Sequence, residues 1–104
     1  MSIFYKFKDF ILKEQFFEAH EVLEEYWHTI KKTNHPYKNV YRGFINAAVA
    51  MELKKRGRES YKKVWNNFEK YKPLYMQKRE FIEIMEFLEN LNPLKKWYNK
   101  KKGW

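Results

Sequence analysis

His20 and Glu24 stand four residues apart, and Trp27 follows three residues later. On a helix these positions share one face, so the imidazole and the carboxylate are neighbours. An imidazole nitrogen beside a carboxylate oxygen suits zinc, nickel, iron or manganese, and such a pair clamps an ion when other helices complete the ligand set. Without a metal, the carboxylate fixes the imidazole tautomer and raises its proton affinity, which makes the neutral ring a general base near neutral pH. The same spacing equally describes a core histidine tethered by a glutamate, with no ligand. The residues by themselves leave all three readings open.

Other chemistries lack their residues. There is no cysteine, which removes thiolate metal sites, disulfides and a cysteine nucleophile. The three glycines, Gly43, Gly57 and Gly103, have no phosphate-loop spacing. Ser60 and Ser2 fit a helix start and a terminus better than a nucleophile. Glu18, Glu21 and Glu25 fall on or near the outward face of the segment that carries His20, where they solvate the surface. Trp27 reads as a core or pocket-wall residue, and His28 and His35 are given no role. Gly43 is expected to permit close approach of another helix or a ligand to the backbone. No reaction follows from these residues, so the chain is not assigned as an enzyme.

The elements that must position this cluster are helical. Apolar residues recur at three- and four-residue intervals almost throughout, and no stretch alternates as a half-buried strand would. The spacing predicts helices over about 3–13, 16–32, 37–56, 59–72 and 79–91. The second has Phe16, Ala19, His20, Leu23, Tyr26, Trp27 and Ile30 on one stripe, which places His20 inward. The third is apolar nearly all round between Phe44 and Met51 and is expected at the centre. Its end is marked by Lys54, Lys55 and Arg56 in the last turn and by Gly57 as a left-handed cap. Pro73 blocks continuation of the fourth helix. The fold class is therefore all-α, a single-domain bundle of about five helices over 1–91, with a basic aromatic tail over 92–104.

Net charge is +9, and it is unevenly placed. Residues 1–30 carry three lysines against six acids, whereas residues 31–79 carry fourteen Lys and Arg against three glutamates. Lys54, Lys55, Arg56, Arg58, Lys62 and Lys63 bracket one turn and should form a positive corner. That corner supports a competing reading, a nucleic-acid module in which Trp97 and Trp104 of the tail stack on unpaired bases. A solvated helix end accounts for the same residues, since no nucleic-acid motif accompanies them. A third reading is a scaffold whose partner is an acidic protein or a second copy of itself. No apolar run approaches the roughly 20 residues of a membrane span. The opening MSIFYKFKDFILK reads as mature protein, and a cytoplasmic location is expected.

The segments FFEAHEVLEEYW, from Phe16 to Trp27, and YRGFINAAVAMELKKRG, from Tyr41 to Gly57, resemble the DUF309 family of small bacterial and archaeal helical proteins of unknown function. The similarity runs over roughly residues 4–70. That family is marked by a His, three residues, a Glu, two residues and a Trp or Tyr, proposed as a metal-binding motif. His20, Glu24 and Trp27 match it position for position. Relatives often carry a Gln and one or two histidines along the third helix, where this chain has Asn46 and then Glu52 and Leu53. The resemblance implies a helical bundle, with Asn46 keeping an amide opposite His20. It also implies a divalent metal held by His20, Glu24 and Glu52, or, with those histidines gone, none at all. In either case a buried polar site around His20, Glu24, Trp27 and Asn46 is expected to hold a metal ion or small ligand.

Overall fold

Helical periodicity in the sequence becomes six helices: α1 (Ile3–Leu12), α2 (Phe16–Ile30), α3 (Lys38–Lys55), α4 (Tyr61–Lys70), α5 (Lys72–Tyr75) and α6 (Arg79–Asn90). The computed structural model describes residues 2–94, and no strand occurs among them. The basic aromatic tail, with Trp97 and Trp104, falls outside the described residues from Lys95 onward.

Helix α3 is central, as its sequence predicts. Val40, Gly43, Phe44, Ala47, Ala48, Ala50 and Met51 are all buried, and α2, α4, α5 and α6 pack around it. The Phe44 ring is the hub. It stacks on Tyr75 at 4.7 Å and meets Phe4 edge-on at 5.7 Å, with Phe68 and Phe81 both at 6.4 Å. Burying a side chain of this size contributes about 1.5–3 kcal/mol, and such ring pairs add up to about 1.5 kcal/mol more. The small side chains of Ala47, Ala48 and Ala50 let the neighbouring helices approach.

Two helix ends close in the same way. The α3 end uses Gly57 at φ 74°, whose N–H donates to the Lys54 carbonyl at 2.9 Å while that of Arg58 reaches Leu53 at 2.9 Å. At the α1 end, Glu14 donates to Ile11 at 3.0 Å and Gln15 to Phe10 at 2.9 Å. Both are Schellman caps, which need a left-handed residue at the turn. Glycine fills that position after α3, but after α1 it is Glu14, at φ 57°. A residue with a Cβ pays for this conformation with about 1–2 kcal/mol. Glu14→Gly is therefore expected to raise stability by about 1 kcal/mol, and Gly57→Ala to lower it by a similar amount. Urea midpoints at constant m-value would show the opposite signs; a destabilised Glu14→Gly protein would contradict the strain argument.

The sixth helix was not expected. Pro73 does end α4, but α5 begins at the next opportunity, with the proline in its first turn. A proline there loses no hydrogen bond, because the first N–H groups of a helix have no partner within it. The result is a single turn that carries Tyr75 onto α3. The hydroxyl of Tyr75 donates to the Phe68 carbonyl at 2.9 Å, and its ring lies directly over Gly43. The close approach that Gly43 permits is thus made by a side chain of α5.

Candidate functional site

Helices α2 and α3 run antiparallel, so His20 near the start of one lies across from Glu52 and Arg56 near the end of the other. Between them is a cleft of about 270 Å³, lined by Phe16, Phe17, His20, Val49, Glu52, Leu53 and Arg56. Its walls are mainly apolar, and its polar lining groups are His20 on α2 with Glu52 and Arg56 at the end of α3, each engaged in an i, i+4 pair. The Nε2 of His20 is 3.0 Å from Oε2 of Glu24. Facing it on α3, Nε of Arg56 donates to Oε2 of Glu52 at 2.6 Å.

The His20–Glu24 pair forms as its spacing predicts, but it is not buried. The His20 side chain is 20% exposed and that of Glu24 is 38% exposed, and apart from tyrosine and tryptophan no side chain with a polar group is fully buried among the described residues. The expected interior site is therefore a site at the rim. The stripe read from the sequence is wider than the surface α3 covers. Ala19, Leu23 and Ile30 form its buried centre, while Phe16, His20, Tyr26 and Trp27 are its half-buried flanks.

An ionised carboxylate only accepts, so in this pairing Nε2 donates, and a neutral ring then carries its lone pair on Nδ1. His28, which the sequence reading left without a role, brings its Nε2 to 3.9 Å from the other oxygen of Glu24. Glu24 thus lies between two imidazoles along the helix.

The metal set His20, Glu24 and Glu52 is not assembled. Glu52 lines the same cleft, but its carboxylate is held by Arg56, and Nε2 of His20 is held by Glu24. Among the described residues no three His, Asp or Glu side chains converge as metal ligands would. The side chains as arranged do not fit a resident ion.

Asn46 does not face His20 either. Its Nδ2 donates to the Arg42 carbonyl at 2.8 Å, and its Oδ1 accepts from Asn67 of α4 at 3.4 Å. Trp27 packs half-buried against the core, with the Lys31 ammonium 5.2 Å from its ring centroid. It does not line the cleft.

Phe17, half exposed, Val49, Leu53 and Arg56 complete the cleft, and none of them was singled out for it from the sequence. One signal was available: Phe17 precedes His20 by three residues and so neighbours it on a helix, and their rings lie 6.0 Å apart.

The basic corner is largely engaged. Lys54 donates to the Pro93 carbonyl at 2.7 Å and Lys55 to that of Glu14 at 3.0 Å. Arg56 pairs with Glu52, and Lys62 pairs with Glu59 at 3.3 Å. Arg58 and Lys63 are exposed and have no ion pair among the described residues. Two of these cations therefore join distant parts of the chain, tying α3 to the α1–α2 turn and to the segment after α6.

These features define a class of protein: a small all-α chain in which a helix carrying His, Glu and Trp packs along a central apolar helix. None of the helices among the described residues is long and apolar enough to cross a membrane. The family model described as a domain of unknown function, DUF309, matches residues 4–63, more than half the chain, and the protein belongs to that family. The matched region spans α1, α2, α3 and the start of α4, and so contains the whole cleft. No curated protein and no solved structure matches the chain.

Proposed function

We propose that this protein is a small-ligand binder whose site is the α2–α3 cleft. The carrying observation is an imidazole with one nitrogen fixed by Glu24, set in the wall of an apolar recess. Small-molecule sites combine apolar walls with a few placed polar groups, and this recess has that composition on a small scale. Glu52 is paired with Arg56, and the Glu24 carboxylate beside a neutral His20 disfavours an anion, so the reading takes a neutral hydrogen-bond donor as ligand. Its ring or alkyl body would contact Phe16, Phe17, Val49 and Leu53. Its N–H or O–H would donate to Nδ1 of His20.

Indole is a suitable probe, being neutral, apolar and a single N–H donor. Titrated at pH 8, it is expected to shift the methyl resonances of Val49 and Leu53 saturably. Naphthalene, which has no donor, should bind more weakly, and His20→Ala should weaken indole by about fivefold, the worth of one hydrogen bond. Phe17→Ala, at an exposed position, should weaken both probes. Equal binding of indole to the wild-type and His20→Ala proteins would refute the assignment.

A further inference from the structure

We infer that the ligand of the α2–α3 cleft carries an acceptor as well as a donor: it is a neutral ring compound with an N–H or O–H at one edge and a carbonyl at another. This class rests on the cleft being a small-ligand site. What narrows it is how little of Arg56 its own partner uses. An arginine that meets a carboxylate fork to fork makes two parallel bonds, whereas here only Nε donates, to Oε2 of Glu52 at 2.6 Å. The N–H donors on both Nη nitrogens have no partner among the described residues. Arg56 is the C-cap of α3, where an arginine commonly bonds the last carbonyls of its helix, yet its side chain makes no such bond.

Arg56 lines the cleft from α3 and His20 lines it from α2, with Phe16, Phe17, Val49 and Leu53 offering flat apolar surface between them. One wall therefore supplies donors and the other an imidazole that can accept. Because these groups belong to different helices, the complementary groups of the ligand lie at different edges of its ring. Glu52 sets the charge of the acceptor. It already balances the guanidinium, so a carboxylate head would add an unbalanced negative charge beside Glu52 and Glu24, and a carbonyl accepts the same bond without that cost. The Arg56 side chain is 60% exposed, so the carbonyl takes the place of water there.

The test compares 5-acetylindole with 5-ethylindole, which has the same donor and nearly the same shape but no carbonyl. Each is titrated into the full chain at pH 8 and followed on the Val49 and Leu53 methyl resonances. 5-Acetylindole is expected to bind about fivefold tighter, as one hydrogen bond to a charged but solvent-exposed group predicts. In Arg56→Met that preference should disappear, because the carbonyl then leaves water and meets no donor. His20→Ala should weaken both probes alike and leave their ratio as it is in the wild type. Saturable binding of 5-ethylindole with no preference for 5-acetylindole, or a preference that survives Arg56→Met, would overturn this inference and leave the cleft standing as a site. Absence of saturable binding by either probe would overturn both.

Discussion

Gly43→Ala should cost the protein about 3 kcal/mol or more, a large part of the stability of a domain this size. In an open helix the same change would help, since alanine is favoured over glycine by about 1 kcal/mol in a helix interior. Here the added Cβ would lie 1.8 Å from the hydroxyl oxygen of Tyr75 and 2.8 Å from its Cζ. The Tyr75 ring cannot yield easily, because it is stacked on Phe44 at 4.7 Å and on Phe68 at 5.3 Å, and its hydroxyl is tied to the Phe68 carbonyl. The clash therefore outweighs the helix preference. A fall of roughly 15 °C in Tm is expected. Tyr75→Phe alone should cost about 1 kcal/mol for the lost hydrogen bond, and in that background Gly43→Ala should cost less, because the nearest clashing atom is gone. A Gly43→Ala protein as stable as the wild type would show that Tyr75 does not sit where the structure places it.

The second large effect is alkaline unfolding. Burial pushes the Tyr75 hydroxyl far above the ordinary tyrosine range, with Glu69 and then Tyr71 adding repulsion. Tyr41 is pushed up to about 12, first by burial and then by Tyr26 and Glu80. In the unfolded chain both would ionise near pH 10. Raised folded values mean that the stabilisation is fully present below about pH 10. Above that, the unfolded state sheds protons that the folded state keeps, and stability falls. The share of Tyr41 is lost between about pH 10 and 12, while that of Tyr75 goes on falling beyond.

One such group gives a slope of about 1.4 kcal/mol per pH unit, and Tyr41, more open to solvent, adds less than that. Urea melts at pH 8, 10 and 11.5 should show this decline, with little change between the first two. Tyr75→Phe should reduce the slope while lowering stability modestly at pH 8. A stability that stays level up to pH 11.5 would rule out this origin of alkaline sensitivity.

The two predictions concern residues that the sequence treated very differently. Gly43 was legible as a point of close approach, because glycine in an otherwise apolar helix is costly unless something lies against it. Tyr75 was not legible at all. It sits beyond Pro73, in a segment whose four helical residues are too few to show a period. The same division runs through the candidate site. That His20 and Glu24 would meet followed from their spacing, and the bond at 3.0 Å is the local consequence. That Asn46 would face them did not follow, and its amide is bonded to Asn67 instead.

What the sequence determined is whatever depends on neighbours within about one or two turns. The helical class, the cap at Gly57, the central place of α3 and the pairing of His20 with Glu24 are all of this kind. Tertiary structure alone decided that His20 stands at a rim, that Glu52 and Arg56 line the same cleft from α3, and that two lysines close the far end of the bundle. The physical reason is rotation. A helix turned by a few tens of degrees about its axis keeps its internal spacing and caps, yet moves an edge residue from the core to the solvent, and only packing against the other helices fixes that angle.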